Sequence, residues 1–299
     1  MVQRSQAKMK GTKTLIFLDV DGVLNVSCKD PGRGALTLGV VNVRMAQQVR
    51  DRSHPKPGLD TAERVLAVNS CELCDGEEGT FSRFTSGESE LCDKLVARLS
   101  WLIAATGDCQ VVLSSTWRMP QHLRKVRCLE EEISRHIRRR FVLDERTELC
   151  ADNSAVKRMT NIGNYLATQP FHRTHRSVRA LILDDLGTTP FGDWSLDGEV
   201  VTCPGVAEAY LAKRGALAKE DVCFVHTYKQ FTTSAGLQVQ MGTGLTGPHM
   251  WSAAAFLGVV WNDPSTRETT IARSELPSVK RTCAHKSFAR KWAARFLMA

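Results

Sequence analysis

Three short apolar runs punctuate the chain, each closing on small or acidic residues: TLIFLDVDG at 14–22, CQVVLSSTW at 109–117 and VRALILDDLG at 178–187. Continuous apolar runs separated by helical segments read as buried parallel strands, which predicts a three-layer α/β fold around a parallel central sheet. Before the second run, Leu91, Leu95, Leu99, Leu102 and Ile103 recur at helical spacing and Gly107 supplies a stop signal. Leu129, Ile133 and Ile137 trace a second amphipathic helix with Arg135, Arg138 and Arg139 on its other face. A third, Lys157 to Ala167, presents Ile162, Tyr165 and Leu166 and leads into the last run.

Two stretches fit this alternation poorly. Residues 26–88 are rich in Gly, Pro, Ser and Asp, and 187–235 include a strand-like DVCFVHTY. Both follow the carboxyl ends of strands, where open α/β sheets bind ligands, so they read as insertions near the active edge, serving as lids or as surface loops. The organisation expected is a basic tail over 1–13, a domain over 14–262 with these two insertions, and a C-terminal tail over 263–299.

Composition narrows the class. Hydrophobic residues at 42% and charged residues at 24% of 299 are those of a folded domain, which excludes wholesale disorder. No window approaches the roughly 18 consecutive apolar residues of a membrane span. The first thirteen residues hold four bases and no acid but lack the apolar core of a secretory signal, which points to the cytoplasm with mitochondrial or nuclear addresses as alternatives. Several of the ten cysteines lie inside apolar runs, as reduced thiols do. Cys71 and Cys74 form the only CxxC, with Cys92 the nearest third thiol, and we read loop thiols rather than a zinc site. A net charge of +8 suggests polyanionic partners.

The candidate chemistry sits at the strand ends. Asp19 and Asp21 share a face after TLIFL, and Gly22 lets the backbone turn away, so a nucleophile and a general acid stand side by side. Asp184 and Asp185 end another strand. Four carboxylates converging on one edge repel unless a cation is present, and magnesium, an oxygen-ligated ion, is the cofactor that answers this. Ser114, Ser115 and Thr116 end the middle strand, where a hydroxyl donates to a phosphoryl oxygen. Lys157 and Arg158 offer positive charge to neutralise that spread over the equatorial oxygens. Trp117 with Arg118, followed by Arg124, Lys125 and Arg127, reads either as a stacking and charge contact for a nucleotide or as a core tryptophan beside a solvated helix face. The C-terminal KSFARKWAARFLM places Phe288, Trp292 and Phe296 on one helical face, which reads as docking on the parent domain in preference to a membrane or partner contact.

These residues resemble a known superfamily. FLDVDGVLN looks like motif I of the haloacid dehalogenase (HAD) superfamily, VVLSSTWR like motif II and LILDD like motif IV. LVARLSWLIAATGDCQVVLSSTWR, RMTNIGNYL and the late QMGTGLTGPHMWSAAAFLG resemble more closely the phosphatase-like domain of "Swiss Army Knife" RNA-repair proteins. The resemblance implies a Rossmann-like HAD fold and phosphomonoester hydrolysis. It makes Asp19 the nucleophile that forms an aspartyl-phosphate, Asp21 the acid and then base, and Ser114 the phosphate-binding hydroxyl. Asp185 then touches magnesium with Asp184 in support, and either Lys157 or Arg158 fills motif III. The family's GLT block follows the acidic pair closely, whereas here roughly fifty residues precede Gly244-Leu245-Thr246, beyond ordinary loop lengths. The implied partner is a phosphorylated substrate, with nucleic acid as a candidate. The rival reading is a non-catalytic RNA-binding or scaffold protein on the same fold.

Overall fold

The computed structural model of the chain describes residues 10–30, 34–51, 58–73, 77–87, 89–143, 145–149, 155–169, 175–186, 195–196, 199–200 and 204–262. Cys74, most of the basic N-terminal tail and the C-terminal amphipathic segment lie outside the described residues.

A parallel sheet of five strands forms the middle layer. It runs β5 (Glu145–Arg146), β4 (Cys109–Leu113), β1 (Lys10–Leu18), β6 (His175–Asp184) and β9 (Val222–His226). Leu15 and Phe17 of β1, Val112 of β4 and Ile182 of β6 face a core packed by Met159, Ile162 and Leu166 of α5 (Ala155–Thr168) and Leu211 of α6 (Pro204–Gly215). Ile16, Leu18, Leu113 and Leu183 face the other way. They meet Leu95, Leu99 and Leu102 of α3 (Asp93–Thr106) and Leu129 and Ile133 of α4 (Leu123–Ile137). Strands buried on both faces need apolar residues at every position, which is why each reads as an unbroken run. The chain is therefore a three-layer α/β fold, as the pattern predicts.

The first strand starts four residues earlier than the apolar run. Its polar extension is held by neighbours: Thr12 bonds Ser177 at 2.8 Å and Lys13 pairs with Asp108 at 2.7 Å. Helix α3 ends where Gly107 takes φ 74°, a conformation that favours glycine.

The two expected insertions turn out unlike each other. The first supplies the hairpin β2 (Ser27–Asp30) and β3 (Gly34–Thr37), then α1 (Val40–Arg50) and α2 (Leu59–Ser70). Much of the second is the sheet itself, because α6 and β9 make one more crossover, β9 pairing parallel to β6 from Ala180↔Val222 to Asp184↔His226. Its remainder includes the short strands β7 (Ser195–Leu196) and β8 (Glu199–Val200), with β10 (Tyr228–Thr232) following β9. β10, β11 (Gln238–Gly242), β2 and β3 form a separate four-stranded antiparallel sheet, so the two inserted regions join each other across it.

The late block comes back to the first strand's turn despite its distance in sequence. Gly244 N donates to Gly22 O at 2.9 Å and Leu245 N to Val23 O at 3.0 Å. A Cβ on Gly242 would lie 2.3 Å from Gly22 Cα, so only glycine permits this approach. Behind it, helix α7 (Gly247–Leu257) begins at Thr246. The buried Arg98 of α3 donates to Leu245 O at 2.8 Å and pairs with Glu77, whose other oxygen accepts from Gly247 N at 2.7 Å. No helix among the described residues is long and apolar enough to cross a membrane.

Candidate active site

Strand register lays out the site. Leu18 pairs with Leu113 and Leu183, Leu113 with Arg146, and Asp184 with His226. One step on, the ladder continues through Asp19 N to Leu183 O (2.9 Å), Ser114 N to Leu18 O (2.9 Å) and Thr147 N to Leu113 O (3.1 Å). Thr147, Ser114, Asp19, Asp184 and His226 therefore form one row across the carboxyl ends of all five strands. Residues in register share a face, and this row faces the α5 side.

Asp19, Asp184 and Asp185 are all buried, and one oxygen from each lies within 4.8 Å of the others. Arg158, in the first turns of α5, bonds Asp19 Oδ2 and reaches Asp184 Oδ1 at 3.0 Å and Oδ2 at 3.1 Å. Successive helical residues point about 100° apart, so Lys157 cannot share that direction. The structure thus puts Arg158 at the carboxylates. Lys29 of β2 donates to Asp185 O at 2.8 Å and lies 3.4 Å from its Oδ2.

Burial raises the Asp184 and Asp185 carboxyls above the ordinary carboxylate range, against the pull of Arg158 on the first and of Lys29 on the second. Burial alone would lower the Arg158 guanidinium, but the charges of Asp184, Asp19 and Asp185 hold it well above its usual value.

Asp21 is set apart from this trio. Its Oδ1 accepts from Asn25 Nδ2 at 3.1 Å and its Oδ2 from Trp117 Nε1 at 3.0 Å. Asn25 also accepts from Gly22 N at 2.8 Å, which fixes the turn after Asp21. Burial pushes the Asp21 carboxyl up to about 6, helped by the Asp19 charge and opposed by the two hydrogen bonds. Gly22 takes φ 82°, and a Cβ there would lie 2.1 Å from Asp185 Oδ2.

Ser114 is fully buried and its Oγ has no hydrogen-bond partner among the described residues. Buried hydroxyls are nearly always satisfied, so an orphan beside Asp19 marks a place for a ligand oxygen or a water. The hydroxyl of Thr147 and the Oδ1 of Asn161, one helical turn beyond Arg158, are orphaned in the same way. The trio itself offers only carboxylate oxygens as ligands, the kind that magnesium takes, so the residues present fit that ion.

A family model described as the HAD domain in Swiss Army Knife RNA repair proteins matches residues 15–207 of the chain. The chain belongs to this family. No curated protein and no solved structure matches it. The match takes in the HAD motif residues from Asp19 to Asp185, while the late block that closes on Gly22 lies beyond it.

Within this HAD domain the residues after motif II are not arranged as a substrate grip. Ser115 Oγ accepts from Trp117 N at 3.3 Å and so caps the short helix Thr116–Arg118, with Thr116 half-buried at its start. Trp117 is buried and holds Asp21. Arg118, read from sequence as a phosphate or nucleotide contact, is buried with its donors on Ser114 O (2.6 Å), Ser115 O (2.8 Å) and Glu148 O (3.2 Å). An arginine satisfied by main-chain carbonyls clamps a loop instead of meeting a polyanion. Lys125 pairs with Glu90 and lies 5.1 Å above the Trp117 ring, whereas Arg124 and Arg127 are exposed.

Sequence reasoning missed Lys29, Thr147, Asn161 and His226. Thr147 follows a strand of only two residues, and Lys29 sits in a short hairpin without periodic signal. Asn161 was within reach, because it lies three residues after Arg158 and three apart is one helical face.

Proposed function

We propose that this chain is a magnesium-dependent phosphomonoesterase that works through an aspartyl-phosphate on Asp19. The observation that carries the reading is the row in which Asp19 stands between the orphaned Ser114 hydroxyl and Asp184, with Arg158 across both acids. A phosphoryl group at Asp19 would receive a hydrogen bond from Ser114 and charge from Arg158. The Asp19 carboxylate attacks phosphorus and the ester P–O bond breaks. Asp21, raised to about 6 and so partly protonated near neutrality, gives its proton to the leaving oxygen. In the second step the Asp21 carboxylate takes a proton from water as that water attacks phosphorus, and the bond to Asp19 breaks, releasing phosphate. Asn25 and Trp117 hold the Asp21 carboxyl in place for both transfers.

Asp19, Asp184 and Asp185 would hold magnesium, with Asp21 outside that set. Magnesium, when bound, supplies positive charge that offsets charge developing on the phosphoryl oxygens. The family's description points to phosphorylated RNA ends as the substrate class, and the exposed Arg124 and Arg127 are compatible with a polyanion. A scaffold that had lost catalysis would have no use for three buried acids crowded together at a cost in stability.

The test is turnover of 3′- and 5′-phosphorylated RNA and DNA oligonucleotides, nucleotides and small phosphate esters, with and without magnesium. Asp19→Asn should lose on the order of a thousandfold or more in rate, because an amide cannot form the acyl phosphate. Near-normal turnover by that variant would sink the mechanism.

A further inference from the structure

Two inserted hairpins meet at one residue of the acid cluster. β2 carries Lys29 and is held in register by β11 through Ser27↔Gly242, Cys28↔Met241 and Lys29↔Gln240. β10 pairs with the far side of β11 and opens on Tyr228, whose ring lies 5.3 Å from the Lys29 ammonium and stacks on His226 at 5.6 Å and 16°. The outcome of these pairings is a single ammonium aimed at Asp185, bonded to its carbonyl and 3.4 Å from its Oδ2.

Each carboxylate of the trio consequently has a basic partner, but the partners differ. Arg158 is a planar fork on a core helix, 11% exposed, and spans Asp19 and Asp184. Lys29 is 28% exposed and presents a compact charge on a flexible four-carbon stem. Its contact with Oδ2 is longer than a good charged hydrogen bond. Of the two cations, Lys29 is the one that can yield an oxygen.

We propose that Lys29 is the resident counter-ion of Asp185 and sets the affinity of the site for magnesium, which binds in competition with the ammonium. The inference rests on the metal site of the proposed function and gives the joined insertions a role there. Without a metal, Lys29 offsets the repulsion among the three acids. When a cation is ligated by Asp185, the ammonium becomes a like charge one oxygen away and weakens binding.

Magnesium binding to the full chain, measured by calorimetry and by thermal shift without substrate and at one fixed pH for all variants, tests this. Lys29→Met should bind magnesium about tenfold more tightly than wild type, because one opposing charge is removed. Its melting temperature in EDTA should fall, since Asp185 loses its partner, and saturating magnesium should restore it. Lys29→Arg, which keeps the charge, should bind as wild type does. Lys29→Gln replaces the methionine variant if that one fails to fold. Unchanged or weaker affinity in a folded neutral variant overturns the proposal and leaves Lys29 a hairpin clamp. If wild type binds no magnesium by either measurement, the metal site itself falls, and this inference with it.

Discussion

Asp19 and Asp21 stand two residues apart, yet their surroundings differ. Asp19 has the charged Arg158 on Oδ2 and Val20 N on Oδ1 at 2.8 Å. Asp21 has only neutral donors, and burial lifts it to about 6. A raised carboxyl is what the proposed general acid needs. The same scale explains Arg118. Its guanidinium serves three carbonyls around motif II, and its removal takes the donor from Ser114 O while Ser115 O keeps the Arg118 main-chain N–H. Arg118→Ala should therefore destabilise the fold by about 1–3 kcal/mol, the cost of one unsatisfied buried group, with Glu148 O still served by Asn161. Urea unfolding measures this. The salt dependence of the Michaelis constant for an oligonucleotide should stay as in wild type, because the residue is not presented to a polyanion. Wild-type stability combined with a flattened salt dependence would return Arg118 to the substrate.

At the scale of elements, the start of α7 ties the late block to the core. Thr246 and His249 form a capping box, in which His249 Nδ1 accepts from Thr246 N at 3.2 Å and lies 2.8 Å from Thr246 Oγ1. Accepting at Nδ1 requires that nitrogen to be unprotonated. Burial lowers the His249 ring to about 4, with contacts to the Gly244 and His226 carbonyls pulling the other way. An unfolded histidine titrates near 6.5, so between those two values the unfolded chain binds the extra proton. The contribution is present above about pH 6.5 and is lost as pH falls toward 4. His249→Gln should flatten the part of the stability curve in that window, when wild type and variant are unfolded in urea at a series of pH values. Equal slopes would show that the ring titrates alike in both states. Arg98 and Glu77 fix the same junction, and neither announces itself in sequence: Arg98 sits on the apolar face of α3, and Glu77 lies in a loop. Elements such as α3, α4 and α5 were legible because burial imposes a period on many residues. The hairpins that shape the site were not, because strands of four or five residues paired in a small sheet carry too few positions to show one.

At the scale of the molecule, the central strands, their order of chemistry and the acidic pairs could all be read from the chain, since a parallel sheet buries both faces and delivers its loops to one edge. Which part of the long second segment belongs to the sheet could not, because β9 is one short run amid weak signals. That point decides how far the functional unit extends. The family match ends at residue 207, before β9, β10, β11 and the Gly242–Leu245 turn, and only four residues into α6. Those later elements cover the β6 edge from Ala180 to Asp184, seat Lys29 through β11, and hold the Asp19–Val23 turn through Gly244 and Leu245. A chain cut after residue 207 would expose Leu181, Ile182 and Leu183 on an open strand edge and leave Arg98 without the Leu245 carbonyl. Such a piece should lose cooperative thermal unfolding, aggregate, and show no magnesium-dependent rise in melting temperature, whereas a chain ending after residue 262 should keep all three properties of the full chain. Circular dichroism melts of both truncations, with and without magnesium, decide the matter. A cooperative, magnesium-responsive melt from the 207-residue piece would mean that the matched residues close the site by themselves and that the late block is an accessory to it.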